Sequence, residues 1–187
     1  MTKSGIAIKA LAGFIFAFLL CSTAQAQTRT FVSGTGSDGN PCSRVSPCRS
    51  FQHAHDVVLA GGEVIAIDSA GYGPITITKS VSIIGDGGYA GINTSSGDGI
   101  TIATAGITVK LRSLTFEGLS SATYGINVTS VGTLHVEDCV ISGFAGSGIN
   151  VNLTADGSYI FIKDTIVKSN GGNGIETTTS TGRYGFR

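Results

Sequence analysis

Charge is thin in this chain: Asp, Glu, Lys and Arg make up 13% of its 187 residues, against 41% hydrophobic ones. So apolar a composition excludes intrinsic disorder, and the length suits one domain with a real core. Proline is scarce as well, at three residues, whereas glycine reaches 28. That pairing points to many tight turns between short strands. There is no basic run and no interleaving of aromatic with basic residues. Beyond residue 26 ten Lys and Arg face twelve Asp and Glu, a formal charge of −2. Nucleic acid is thereby excluded as a partner. No apolar run reaches the ~20 residues that a membrane-spanning helix needs.

The longest such run, "ALAGFIFAFLL", follows Lys3 and Lys9 and precedes Ala24-Gln25-Ala26. This is the pattern of a secretory signal peptide over residues 1–26, which makes the mature protein secreted or periplasmic, without a membrane span after cleavage. Leu20 before Cys21 argues against lipidation, which favours a small residue there. Three cysteines remain after cleavage. Cys42 and Cys48, close together in the polar stretch "NPCSRVSPCRS", read as a disulfide of an exported chain. Half of a metal site is the competing reading, but no second Cys/His pair at ligand spacing completes one. The sequence thus calls for no metal and no cofactor.

The dipeptide Gly-Ile recurs at Gly99-Ile100, Gly125-Ile126, Gly148-Ile149 and Gly174-Ile175, its isoleucines 26, 23 and 26 residues apart. A second series runs in step: "VKLRSL" from Val109, "LHVEDC" from Leu134 and "IFIKDT" from Ile160. Such a period is that of a solenoid. Apolar and polar residues alternate within each series, the mark of strands with one buried face, and "SGFAGSG" and "KSNGGNG" supply turns between them. Stacked turns would place Ile100, Ile126, Ile149 and Ile175 in one inward column. Leu111, Val136 and Ile162 would form a second, and Leu114, Cys139 and Thr165 a third, which leaves Cys139 buried and unpaired.

Upstream, "GEVIAID", "PITITKS" and "VSIIG" read as strands of one more irregular turn. Before them Phe51, Ala54, Val57 and Val58 fall at helical spacing, with Ser50 as N-cap and Gly61 as stop, so a short amphipathic helix lids the coil. The fold expected is all-β: a right-handed parallel β-helix of about four turns with an N-terminal capping helix. Residues 27–61 form the cap with its disulfide loop, 62–177 the β-helix, and 178–187 an irregular tail. That tail, "RYGFR" at its end, departs abruptly from the repeat. It would leave the edge at Ile149–Val151 and Ile160–Ile162 partly uncovered, to be met by a partner chain, by self-association, or by residues lost from a longer ancestor, the last being favoured.

The combination of "RTFVSGTGSDGNPCSRVSPCRSF", the capping helix, "ITITKSVSIIGDGG" and the Gly-Ile repeats resembles small exported bacterial proteins of the right-handed parallel β-helix group, within the pectin-lyase-like superfamily. The resemblance covers nearly all the mature chain. It implies the fold; the superfamily spans lyases, hydrolases, tailspikes and adhesins, so it implies no single activity.

Lys110, Arg112, His135, Glu137, Phe161 and Lys163 should project outward from one sheet, in columns Lys110–His135–Phe161 and Arg112–Glu137–Lys163 with neighbours about 4.8 Å apart. A polysaccharide or cell-surface glycan could lie across them; the plainer reading is a charge ladder, each exposed pair contributing at most about 1 kcal/mol. The resemblance implies, for a lyase, a cluster of acidic calcium ligands beside a basic residue, and this chain departs from it, since Glu137 alone sits centrally. Asp138 and Asp164 fall at strand ends, where turn capping is their expected job. A hydrolase needs two facing carboxylates, and Glu117 meets Glu137 only if their turns fold together. His53 and His55, two apart on a helix, point away from one another and read as solvated. No catalytic residue is named. The reading is an exported, non-catalytic glycan-binding β-helix; the alternatives are a polysaccharide lyase or hydrolase, and an incomplete β-helix protein without a function of its own.

Overall fold

A computed structural model describes residues 27–153, 157–178 and 183–186. The signal peptide expected over residues 1–26 lies outside the described residues, as do 179–182 and 187 of the tail. The described chain opens with β1 (Gln27–Val32), runs through the disulfide loop, and forms α1 (Phe51–Val57). Then come β2 (Val58–Ala66), β3 (Ala70–Gly71) and β4 (Ile75–Ile77), which make one turn of a coil. The next turn is β5 (Val81–Gly85), β6 (Ala90–Gly97) and β7 (Ile100–Ala103). After it follow β8 (Thr108–Arg112), β9 (Thr115–Ala122) and β10 (Ile126–Ser130), and then β11 (Thr133–Glu137), β12 (Val140–Ser142) and β13 (Ile149–Val151). The last are β14 (Tyr159–Lys163), β15 (Ile166–Lys168), β16 (Ile175–Thr177) and β17 (Arg183–Phe186).

All named strand pairs are parallel, and each turn gives one strand to each of three sheets, which makes a β-solenoid. The first sheet has the order β1-β2-β5-β8-β11-β14-β17, the second β16-β13-β10-β7-β4, the third β15-β12-β9-β6-β3. The expected columns hold. Ile100, Ile126, Ile149 and Ile175 are register partners, extended upstream by Ile75. Leu111, Val136 and Ile162 align in the first sheet and are buried. Cys139 is buried and free, its amide facing Thr165 Oγ1 at 3.4 Å. Burial pushes its thiol pKa up to about 11, so it packs as a small apolar side chain.

The Gly-Ile step is the rung between turns. Each isoleucine N–H donates to the glycine carbonyl one turn on, at 2.9 Å for Ile100 to Gly125 and 3.0 Å for Ile126 to Gly148. A Cβ on Gly125 would lie 2.5 Å from the Gly148 oxygen, so only glycine lets neighbouring turns approach this closely.

Several expectations are corrected. The three upstream segments do not make one turn: β2 and β5 are stacked partners, Gly62 against Val81, so a turn closes there in 19 residues where Leu134 to Ile160 takes 26. The helix stops at Val57 rather than near Gly61, because Val58 already enters β2, although Ser50 does cap it by accepting from the His53 N–H. β6 and β9, at eight residues each, are longer than the repeat suggested. Residues 183–186 are not irregular: Tyr184 and Phe186 are register partners of Ile160 and Ile162 through β17, and β16 covers Ile149–Val151. The terminal strands of the three sheets are β1, β3 and β4 on one side and β15, β16 and β17 on the other.

Candidate functional site

The outer surface of the first sheet carries all six residues singled out from the sequence. Lys110, His135 and Phe161 are consecutive register partners, as are Arg112, Glu137 and Lys163. They face outward because the intervening Leu111, Val136 and Ile162 fill the core. The columns run on upstream: Lys110 sits beside Ser82, Glu63 and Arg29 in turn, and Arg112 beside Ile84, Ile65 and Phe31. Sequence reasoning missed these members. The signal was present in "GEVIAID" and "VSIIG", but only a reading of the two as successive turns reveals it.

Ser82 and Ile84 are shorter than their neighbours, and a depression of about 320 Å³ opens above them. Glu63, Lys110, Arg112, His135 and Glu137 line it. Next to it runs an aromatic strip. The His135 ring stacks on Phe161 at 4.9 Å between centroids and 18° between planes, and Phe161 lies parallel to Tyr159 at 6.5 Å. Phe161 is 42% and Tyr159 43% exposed. Of the close contacts between charged or imidazole groups here, only Arg29–Glu63 follows a column. Arg29 Nε donates to Glu63 Oε2 at 2.6 Å, His135 Nδ1 lies 3.9 Å from Glu137 Oε1, and Lys163 turns to its chain neighbour Asp164 at 3.3 Å.

Glu117 does not join Glu137. It lies on the third sheet, in register with Ser142, and its Oε2 accepts from the Tyr89 hydroxyl at 2.8 Å and Asn93 Nδ2 at 2.7 Å. Burial, then the Glu117 carboxylate, raises the Tyr89 pKa. Asp138 and Asp164 occupy the bend after their strands with positive φ, 53° and 49°, matching Ser113 at 56° one turn earlier. Their role is to turn the corner, which short polar side chains tolerate.

The capping segment also differs from expectation. His55 is not solvated but 1% exposed, its Nε2 accepting the Thr78 N–H at 3.3 Å. Cys42 and Cys48 are bridged, Cα atoms 4.6 Å apart, and both are buried although the loop they close is exposed. His53, half-buried, comes alongside them: its ring and the two sulfurs are the one group of three candidate metal ligands found among the described residues, all within 4.8 Å of one another. No described helix is long and apolar enough to cross a membrane.

Compared with protein-family models, curated proteins and solved structures, the chain matches none.

Proposed function

We propose that the protein is an exported, non-catalytic β-helix protein that binds a polysaccharide or cell-surface glycan along the outer face of its first sheet. The observation that carries this is the adjacency of the His135–Phe161–Tyr159 strip to the depression lined by Lys110, Arg112 and Glu137. Sugar rings have apolar faces and hydroxyl edges. A flat aromatic platform takes the first, and fixed charged side chains hydrogen-bond the second. The parallel ladder holds both sets on rigid strands, so little ordering cost falls on binding. The leader expected over residues 1–26 supports export.

Titration of the protein against a panel of plant and bacterial polysaccharides by calorimetry tests this, with Phe161→Ala as comparison. A glycan that binds the parent and loses at least tenfold in affinity with Phe161→Ala is the expected result. A panel without a binder, or binding untouched by Phe161→Ala and Lys110→Ala together, overturns it.

A hydrolase is the second reading, favoured by one observation: Glu63 and Glu137 line the same depression. Against it, Glu63 already accepts from Arg29, and Glu137 lies beside His135. Release of reducing ends or of unsaturated uronic products from any bound glycan, lost in Glu137→Gln, would move the protein into the enzyme class.

A further inference from the structure

We propose that Cys42, Cys48 and His53 form a redox-gated site for one Zn²⁺ ion, shut while the two cysteines are bridged and opened when a dithiol reductant cleaves the bridge. Tetrahedral zinc with bonds of about 2.0–2.3 Å sets its ligands roughly 3.5–3.8 Å apart, and the three side chains already lie within 4.8 Å of one another. Two thiolates and an imidazole suit zinc and not magnesium or calcium, which want oxygen.

The backbone of both cysteines is held independently of the bridge, so its opening asks only that the two sulfurs part from bonding distance to roughly 3.8 Å. The Phe31 N–H donates to the Cys42 carbonyl, the Cys48 N–H to the Phe31 carbonyl, and the Ser33 N–H to the Cys48 carbonyl, each at 2.9 Å. Both cysteines are thereby stitched to β1, the first strand of the first sheet. His53 rides on α1, whose first turn Ser50 Oγ caps at the His53 N–H, 3.2 Å away. Asp38 does not supply a fourth ligand: its carboxylate accepts from Ser50 Oγ at 2.7 Å and from the Arg49 and Ser50 amides at 2.8 and 2.9 Å. The fourth position is left to water. The sulfurs are shielded and the imidazole sits at the rim, so metal enters past His53.

The chemistry balances in two steps. A dithiol R(SH)₂ reduces the protein disulfide by two thiol–disulfide exchanges, giving R(S–S) and two protein thiols. Zn²⁺ then binds both sulfurs and neutral His53, and two protons leave. None of the three ligands belongs to the glycan face.

The full chain, reduced under anaerobic conditions and freed of reductant, is titrated with Co²⁺ as a coloured zinc substitute. The expected result is thiolate-to-metal charge-transfer absorption saturating at one Co²⁺ per chain, displaced by Zn²⁺, absent from the oxidised chain and from the Cys42→Ser/Cys48→Ser double variant. His53→Ala should weaken Zn²⁺ roughly tenfold or more while its circular dichroism matches the parent. In parallel, Zn²⁺ should protect Cys42 and Cys48, but not Cys139, from alkylation as read by mass spectrometry. The proposal is overturned by the absence of the band in the reduced chain, by its persistence in the double cysteine variant, or by equal affinity in His53→Ala.

Discussion

Ile149 and Asn150 are adjacent in β13, and they show how much one residue's direction decides. Ile149 is wholly buried between Ile126 and Ile175, so Ile149→Asp puts an unpaired charge in a dry column and should cost several kcal/mol, enough to abolish a cooperative thermal transition. Alternation alone would make Asn150 dispensable. It is in fact only 8% exposed, and its Nδ2 donates to Asn127 Oδ1 at 3.0 Å, while Asn127 Nδ2 donates to Asp98 Oδ2 at 2.7 Å. Asn150→Ala should therefore cost about 1 kcal/mol, less than Ile149→Asp but measurable by denaturant unfolding. Equal effects at the two positions would contradict this placement.

His55 supplies the pH dependence. Burial, the largest influence, holds its pKa below the ordinary 6.5; the hydrogen bond with Asp56 opposes this and the nearby Lys79 charge adds to it. Protonation would also take Nε2 away from the Thr78 amide. The unfolded chain thus binds a proton that the folded chain resists. Stability is full above about pH 6.5 and falls as pH drops toward the lower folded pKa, by at most about 1.4 kcal/mol per unit. Asp38 and Asp68 are also held below their ordinary values, hydrogen bonds outweighing burial in each, but their share is lost only below about pH 4. Melting temperatures should fall between pH 7 and 5 in the parent and stay flatter in His55→Gln; parallel curves would exclude His55 as the cause.

At the scale of the element, the rung glycines are the informative positions. A Cβ on Gly125 would meet the Gly148 oxygen at 2.5 Å, and on Gly148 the Val167 Cγ1 at 2.3 Å and the Gly174 oxygen at 2.9 Å. On Gly174 its nearest neighbour would be Val167 Cγ1 at an ordinary 3.8 Å. Gly125→Ala and Gly148→Ala should each destabilise by roughly 1–3 kcal/mol, and Gly174→Ala by well under 1, as read by denaturant unfolding. A uniform penalty would mean that the glycines serve backbone freedom and not close approach.

The same elements explain what was legible in the sequence. Gly-Ile and the "VKLRSL" series advertise themselves because stacking demands the same residue type at the same place, and all six face residues followed from that alternation. The third sheet did not show itself: the bulge between Thr94 and Ser96 breaks its period. β17 hid because it is four residues long and carries Tyr184 and Phe186 where the earlier turns have aliphatic residues. The meeting of His53 with the cysteines was invisible, since it depends on how the loop from Cys48 turns into α1, which no spacing rule describes.

Across the whole molecule, every strand inside the stack leans on the turn before and the turn after. β8 and β11 have a partner on both sides, whereas β15 and β16 have one. Stability in such an array is a sum of turns and of the contacts between neighbours, so opening starts at the ends. Hydrogen exchange read by mass spectrometry should find the amides of Val109–Leu111 and Leu134–Val136 outlasting those of Ile166–Lys168 and Ile175–Thr177 by orders of magnitude. Uniform protection would require a single cooperative unit instead.

The parallel register has a further consequence. Because each strand is displaced from its predecessor by the same step of about 4.8 Å along one axis, the first sheet is a graduated scale some 29 Å long from β1 to β17. An elongated polymer lying along that axis meets side chains only at whole multiples of the step. Its affinity should then climb in increments as units are added to its length, and level off once the seven graduations are used.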